Sequence, residues 1–114
     1  MKIIKKLVTG GSGFIGSHVV DHLVELGHEV RVFDMIIPQR NDVEHYQGSL
    51  LDLEQLRMGM AGIDAVYHLA AVANVNAVFD EPIYAESINT RGTINVLEAA
   101  RYNSVKRVIY GSTT

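Results

Sequence analysis

The sequence predicts an α/β fold organised around a doubly wound parallel sheet, and three observations support this prediction. Short apolar runs of the kind found in buried strands alternate with stretches whose apolar residues recur at helical spacing. The connections between them are short, which favours parallel strands joined by right-handed crossovers. A glycine-rich loop separates the first apolar run from the first amphipathic stretch. The predicted strand order is 3-2-1-4-5, with a ligand crevice between strands 1 and 4.

Each predicted element is bounded by residues with turn or capping preferences. The first helix begins at Phe14 and ends at Gly27, and Asp52 caps a short second helix. Pro82 opens the third and longest helix, because the first turn tolerates a residue without an N–H group. The helical pattern ends at residues 102–104. The predicted strands are Ile3–Thr9, Glu29–Asp34, Glu44–Gln47, Ala65–Leu69 and Val105–Tyr110.

The composition argues against several classes of function. The 114 residues fit one domain, and a net charge of −3 without a basic cluster gives no reason to expect nucleic acid or an anionic membrane as a partner. The lack of cysteine excludes a disulfide framework, a thiolate metal site and a cysteine nucleophile. No apolar stretch is long enough to span a membrane, and residues 1–6 lead into a strand rather than a signal peptide. We therefore expect a cytoplasmic protein.

The glycine-rich loop, residues 10–16, is the most informative feature of the chain. Gly10, Gly13 and Gly16 meet three demands of a Rossmann-type dinucleotide site: a sharp chain reversal, close approach of the backbone to a diphosphate, and tight packing of the next helix. That helix would direct unpaired N–H groups and a partial positive charge at the phosphates. No Gly-Lys-Ser/Thr follows, which excludes a kinase-type phosphate loop. A turn that binds nothing and a methyltransferase glycine loop stay open as alternatives.

Asp34 ends the second predicted strand, 18 residues after Gly16. At this place a carboxylate can accept hydrogen bonds from both hydroxyls of an adenosine ribose. Its negative charge would repel a 2′-phosphate, so the sequence favours NAD over NADP. Arg40 would partly offset that repulsion. The alternative interpretation of Asp34 is an ordinary aspartate at the end of a strand.

Two further patterns are interpreted as structural. His18 and His22 lie four residues apart, a spacing that suits a metal ion, but no third ligand is evident and no metal site is predicted. Tyr102 and Lys106 match a Tyr-x-x-x-Lys pattern, which works only when both side chains project from one helix face. Residues 103–104 end the helix between them, so this match is attributed to chance.

Three hydroxyl residues, Ser112, Thr113 and Thr114, follow the fifth predicted strand. They lie at the carboxyl edge of the sheet, where active sites gather in open α/β folds. A hydroxyl there could hydrogen-bond a reacting carbonyl or alcohol. An ordinary polar loop or a frayed terminus is the alternative.

With these features in place, the chain resembles the first part of the extended short-chain dehydrogenases/reductases, and within them the NAD-dependent epimerase/dehydratase family that acts on nucleotide sugars. The resemblance extends over the whole sequence, and its motifs are specific to the family rather than to a substrate. The matching segments are Thr9–His18, Gly48–Asp52, His68–Ala71, Asn89–Ala100 and Lys106–Thr113.

The resemblance implies roles for individual residues. In the family the backbone at the positions of Phe14 and Ile15 holds the pyrophosphate, and the acid at the position of Asp34 holds the ribose. Ser49 replaces the aspartate that accepts a hydrogen bond from the adenine amino group, although a hydroxyl can still accept that bond. Thr113 falls at the position of the active-site Ser/Thr. The other implied cofactor contacts are Leu50, Leu69, Ala70 and Ala71.

The resemblance also implies that the chain is the cofactor-binding part of an epimerase, dehydratase or related reductase. In the complete enzyme, hydride would pass from a nucleotide sugar to NAD and give a transient keto-sugar. The family's tyrosine base, its lysine and its sugar-nucleotide domain would lie beyond residue 114. Residues 1–114 are therefore expected to be the N-terminal NAD-binding part, inactive alone.

The alternative function is a stand-alone dinucleotide-binding module, used as a redox sensor or a partner-binding domain. Strand 5 would form an edge of the sheet in the 114-residue chain. Because exposed apolar edges invite pairing with another chain, we expect self-association into a homo-oligomer.

Overall fold

The computed structural model describes residues 4–69 and 87–111 of the chain. Within these residues the chain forms a parallel sheet flanked by helices, as the sequence predicts. The elements are β1 (Lys5–Thr9), α1 (Phe14–Glu25), β2 (Glu29–Phe33), β3 (Glu44–Tyr46), α2 (Leu53–Gly59), β4 (Ala65–His68), a π-helical turn (Ser87–Arg91), α3 (Gly92–Tyr102) and β5 (Arg107–Tyr110).

The strand order is β3-β2-β1-β4-β5 with every pairing parallel, which confirms the predicted order. The register places Thr9 of β1 opposite Phe33 of β2 on one side and His68 of β4 on the other. His68 in turn pairs with Tyr110 of β5. The carboxyl ends of four strands are therefore level. The loops that follow β1 and β2 begin at this edge of the sheet, as does Leu69 after β4.

Each face of the sheet has its own apolar core. On the α1 face, buried residues of β1, β2 and α1 pack together: Val8, Val20, Leu23, Val30 and Val32. On the opposite face, α2 and α3 cover a larger cluster: Leu7, Phe33, Leu50, Leu56, Met60, Ile63, Val66, Val96, Ala99 and Ala100. The alternation of Leu7 and Val8 between the two clusters follows from the two-residue period of a strand. Burial on both faces is typical of a parallel sheet.

Most predicted boundaries differ from the structure by one or two residues. β2 ends at Phe33 rather than Asp34, although the Asp34 N–H still donates to the Tyr46 carbonyl at 3.3 Å. Asp52 is the N-cap of α2, with its Oδ1 accepting from the Gln55 N–H at 3.0 Å, so the predicted cap is confirmed. The edge strand β5 begins at Arg107 rather than two residues earlier. Whether that edge pairs with another chain stays a prediction.

The third helix is less regular than its sequence pattern predicts. Its predicted start at Pro82 lies outside the described residues, and the described part opens with a π-helical turn before α3 begins at Gly92. The Thr93 hydroxyl donates to the Asn89 carbonyl inside that turn at 2.7 Å, a side-chain bond that competes with the helix ladder. A Cβ on Gly92 would lie 3.1 Å from the Leu50 Cβ. The irregular turn thus lies where the helix backbone packs closely on the segment after β3.

The crossover from β2 to β3, residues 34–43, contains no helix. It runs in the same direction as the β1-to-β2 crossover, so the right-handed rule places it on the face that carries α1. Arg40 joins the crossover to that helix, because its Nη1 lies 2.7 Å from Asp21 Oδ1. A loop thus stands beside α1 where doubly wound folds usually carry a second helix.

Candidate functional site

The glycine loop reverses the chain between β1 and α1. Gly10 has a φ of +72°, which side chains rarely tolerate, and its N–H donates to the Phe33 carbonyl at 3.0 Å. Its own carbonyl accepts from the Gly13 N–H at 3.0 Å. The first glycine therefore has the predicted role of turning the chain, and it also ties the loop to the end of β2.

The start of α1 packs closely on the backbone of the glycine loop. A Cβ on Gly16 would lie 1.9 Å from the Gly10 carbonyl oxygen, so no side chain fits there. The sequence predicts that a glycine admits tight helix packing, and the structure shows that the packing partner is the backbone of the loop. A Cβ on Gly13 would lie 3.3 Å from the same oxygen, on an exposed stretch of chain. Gly13 is thus the loop glycine with room for an approaching ligand.

Gly11 is a structural residue that the motif analysis missed. A Cβ there would lie 2.9 Å from both Val32 methyl groups and 3.2 Å from a Val20 methyl group. The loop therefore rests directly on the core of the α1 face. Two consecutive glycines at the end of a buried strand were the available sign of this contact.

The first turn of α1 presents backbone rather than side chains to a ligand. Gly13 is the N-cap, and no side chain caps the helix. Phe14 and Ile15 are 83% and 55% exposed. Uncapped N–H groups and a partial charge of about +0.5 at a helix start attract phosphate groups. A pyrophosphate at Phe14 and Ile15 stays a prediction.

Asp34 is fastened to the glycine loop. Its Oδ2 accepts from the Ser12 N–H at 3.1 Å, and its Oδ1 accepts from the Ile36 N–H at 3.0 Å. The Ser12 hydroxyl donates to the Ile36 carbonyl at 2.7 Å. Because an ionised carboxylate has about four acceptor positions, these two bonds leave capacity for ribose hydroxyls. The predicted ribose acid therefore lies against the predicted phosphate loop.

An apolar strip that the sequence analysis did not identify continues from Asp34. Met35, Ile36 and Ile37 are between 59% and 72% exposed. Apolar surface next to a few fixed polar groups is typical of ligand sites. Three consecutive apolar residues in a predicted loop were the available signal.

The segment after β3 is held in place by hydrogen bonds between its backbone groups and side chains. The Ser49 hydroxyl accepts from the Leu51 N–H at 3.1 Å, and the Ser49 N–H donates to Gln55 Oε1 at 2.8 Å. Leu50 is 9% exposed, and its carbonyl accepts from Asn95 Nδ2 at 2.9 Å. The Ser49 hydroxyl still carries a proton and a second lone pair. The Leu50 side chain packs in the core, so a contact of Leu50 with a ligand would involve its backbone.

A buried chain of hydrogen bonds joins the ends of β1 and β4 to α3. Thr9 Oγ1 lies 2.8 Å from His68 Nδ1, and His68 Nε2 lies 3.1 Å from Thr93 Oγ1. The Leu69 N–H donates to Thr9 Oγ1 at 3.0 Å and also to the Thr9 carbonyl at 3.2 Å. Thr93 gives its hydroxyl proton to the Asn89 carbonyl, so it must accept from His68. This assigns a proton to Nε2 of His68.

Burial keeps that imidazole neutral. His68 is 2% exposed, and desolvation of the charged form lowers its pKa to about 4. The sequence analysis identified the segment that contains His68 but gave His68, Thr9 and Thr93 no role. Their pairing could have been anticipated in part, because parallel strands of predicted order 1-4 bring the residues at the ends of both strands level.

The remaining predicted residues separate into two groups. Ala70, Ala71 and Thr113 lie outside the described residues, as do Ser112 and Thr114, and their roles stay predictions. Leu69 is described and is partly buried at the end of β4.

The histidine and Tyr-x-x-x-Lys patterns can be compared with the structure directly. His18 and His22 are exposed on α1, and the His18 ring stands edge-on to Phe14 at 5.1 Å. In the part of the chain that the structure describes, no three His, Asp or Glu side chains come together as metal ligands. α3 ends at Tyr102, and the Lys106 N–H donates to the Asp64 carbonyl, so Tyr102 and Lys106 do not share a helix.

A cavity of about 570 Å³ opens between the glycine loop, the outer side of α1 and the β2–β3 crossover. Ser12 and Gly13 line it from the loop, His18 and Asp21 from the helix, and Arg40 from the crossover. The cavity occupies the place where a second crossover helix would pack. Among residues 4–69 and 87–111, no helix has the length and apolar character that a membrane span requires.

Residues 6–114 match the NAD dependent epimerase/dehydratase family. The chain belongs to this family. It is 34% identical over 112 residues to a putative UDP-glucose 4-epimerase of Methanocaldococcus jannaschii, covering 93% of this chain and 37% of that protein. It is 36% identical over 111 residues to a 3-beta-hydroxysteroid dehydrogenase of Mycolicibacterium neoaurum, covering 91% of this chain and 30% of that protein.

Solved structures of the family have the same fold. The UDP-glucose 4-epimerase of Thermotoga maritima with UDP-glucose superimposes with a TM-score of 0.89 at 36% identity, covering 96% of this chain and 38% of that one. The Thermus thermophilus UDP-glucose 4-epimerase in complex with NAD has a TM-score of 0.86 at 34% identity, with 96% and 38% coverage. The chain thus spans between 30% and 38% of these relatives' length and matches their N-terminal part.

Proposed function

We propose that this chain binds NAD and supplies the cofactor-binding part of a nucleotide-sugar oxidoreductase of the epimerase/dehydratase type. The observation that carries the proposal is the contact between Asp34 Oδ2 and the Ser12 N–H at 3.1 Å. It places a carboxylate for ribose hydroxyls directly beside a helix start suited to a diphosphate. A turn that bound nothing would not require this arrangement of charge and uncapped backbone.

The two halves of the dinucleotide would lie on different sides of the glycine loop. The adenosine ribose would lie on Asp34, and the adenine along the exposed apolar strip of residues 35–37 and near Ser49. The nicotinamide would extend over the carboxyl end of β4, towards Leu69 and the predicted contacts Ala70 and Ala71. NAD, once bound there, supplies a hydride acceptor. In the complete enzyme Thr113 would hydrogen-bond the reacting sugar oxygen. Hydride would pass from the adjacent carbon to NAD and the hydroxyl proton to the tyrosine base that the family resemblance implies beyond residue 114, which would give a transient keto-sugar.

Asp34→Asn tests the proposal with little change of shape. The asparagine keeps one carbonyl oxygen but turns an amide N–H group towards one of the two backbone donors, and it lacks the negative charge that ribose hydroxyls favour. Hydrogen bonds to a charged group contribute about 1.5–3 kcal/mol each, so we expect NAD affinity to fall at least about tenfold. Isothermal titration calorimetry of the 114-residue chain with NAD measures the change.

Asp64→Asn is the matched control. Its carboxylate also accepts from a backbone N–H, that of Lys5 at 2.8 Å, but at the amino edge of the sheet. We expect this variant to lose stability while binding NAD with unchanged affinity. Equal affinities of the parent chain and Asp34→Asn, or no heat of binding with the folded parent chain, would contradict the proposed function.

A further inference from the structure

The cavity beside α1 lies next to the predicted ribose position. Ser12 is the link, because its N–H bonds the Asp34 carboxylate while the residue itself lines the cavity. A ribose held by Asp34 would therefore lie beside the wall of the cavity that Ser12 forms. A phosphate on the 2′-hydroxyl of that ribose would point towards the space between Ser12 and Arg40.

Arg40 is the cation that such a phosphate would meet. A nearby arginine is the usual means of accommodating a 2′-phosphate in dinucleotide sites. Here, however, the guanidinium is already bound on two sides. Nε and Nη2 donate to the two carboxylate oxygens of Asp42 at 2.6 and 2.7 Å, and Nη1 donates to Asp21 Oδ1 at 2.7 Å.

These contacts change what Arg40 offers to a ligand. At least three of the five N–H donors of the guanidinium are directed at carboxylates, and the bidentate pairing with Asp42 fixes its plane. The two aspartates raise the pKa of Arg40, and Arg40 lowers the pKa of Asp42. The group of three side chains carries a net charge of −1, so it repels a phosphate instead of attracting one.

We propose that Asp21 and Asp42 determine cofactor specificity by holding Arg40 away from the 2′-phosphate, so that the cavity disfavours NADP in addition to the charge of Asp34. The proposal rests on the proposed function, since it assumes that the ribose lies on Asp34. It differs from the sequence interpretation, in which Arg40 partly offsets the repulsion. In the structure, Asp21 of α1 and Asp42 of the crossover cancel the positive charge with which Arg40 would offset that repulsion.

The test is the double variant Asp21→Asn/Asp42→Asn. Both side chains keep their size, and Arg40 keeps oxygen acceptors, but the two negative charges are gone. We expect NADP affinity to rise about tenfold, because the repulsion of the phosphate by two nearby carboxylates is removed and the Arg40 charge is no longer cancelled. NAD affinity should stay within about twofold, since NAD carries no group at this position. Calorimetric titration with NAD and NADP gives both values.

The triple variant Asp21→Asn/Asp42→Asn/Arg40→Gln separates Arg40 from a general change of charge. If Arg40 binds the phosphate once it is released, the triple variant keeps only the part of the gain that comes from removing the two carboxylates, so its NADP affinity lies clearly below that of the double variant. Glu98→Gln is the control for removal of a surface carboxylate that pairs with an arginine, because Glu98 bonds Arg101 at 2.9 Å on α3. That variant should change neither affinity.

The outcomes separate the two proposals. A gain in NADP affinity that depends on Arg40 supports the specificity role of Asp21 and Asp42. An unchanged ratio of NAD to NADP affinity in the double variant overturns it, and so does a gain of the same size in the double and triple variants. If the parent chain binds neither nucleotide, the proposed function fails together with this inference. NAD binding without a change of specificity rejects only the inference.

Discussion

Two groups of polar residues lie at the carboxyl edge of the same sheet, and their environments differ. Between β1 and β2, the Asp34 carboxylate is charged, partly exposed and bonded to the backbone of the glycine loop. Between β1 and β4, His68 is neutral, buried and bonded to two threonine hydroxyls. The exposed group keeps hydrogen-bonding capacity for a ligand, whereas the buried group has used its capacity inside the protein. Polar residues at this edge therefore divide into those that keep hydrogen-bonding capacity for a ligand and those that fix the strands.

The largest effect is expected when the buried group is removed. His68→Ala would leave a cavity and remove one hydrogen-bond partner each from Thr9 and Thr93. Changes of this kind lower the free energy of unfolding by about 4 kcal/mol. Urea unfolding followed by circular dichroism measures it, with His22→Ala on the exposed side of α1 as the control. The control should change stability by less than about 0.5 kcal/mol. A similar small effect for His68→Ala would show that the buried chain of hydrogen bonds contributes little.

A second prediction concerns the pH dependence of that contribution. Burial lowers the pKa of His68 from 6.5 to about 4 in the folded protein, so between these values the unfolded chain binds the proton more readily. Stability is therefore complete above the unfolded pKa and is lost as the pH falls towards the folded one. We expect a loss of about 2 kcal/mol from this group between about pH 7.5 and about pH 5.

His68→Ala should show a smaller loss over the same range, since carboxylates elsewhere titrate equally in both proteins. Among the residues that the structure describes, the ionisable side chain that faces His68 is Tyr110, with ring centroids 5.5 Å apart, and His68 also contacts the hydroxyls of Thr9 and Thr93. Parallel pH profiles of the parent and the variant would contradict the assignment of a neutral buried His68.

Sequence reasoning recovered the strand order because apolar periodicity and short connections constrain a parallel sheet strongly. It also identified Asp34 and the glycine loop, since both follow from local spacing. It missed the contacts that depend on tertiary packing. The Thr9–His68–Thr93 chain joins residues that are 59 and 25 positions apart. The orientation of Arg40 towards Asp21 depends on the path of a crossover that contains no helix.

The smallest expected effects come from the glycine loop itself, where one residue is buried and a neighbour two positions on is exposed. Gly11→Ala would place a methyl group 2.9 Å from the Val32 methyls, and overpacking of this kind costs about 1.5 kcal/mol. Gly13→Ala would meet the Gly10 carbonyl oxygen at 3.3 Å on an exposed stretch, so we expect the free energy of unfolding to fall by about 0.5 kcal/mol.

For NAD affinity the order of the two variants should be reversed. The methyl group of Gly13→Ala stands where a diphosphate would approach, whereas that of Gly11→Ala points into the core. Unfolding and calorimetry on both variants measure the two orders. If the less stable variant also bound NAD less tightly, the loop glycines would affect NAD affinity only through the stability of the fold. The contrast between the buried Gly11 and the exposed Gly13 would then have no functional meaning.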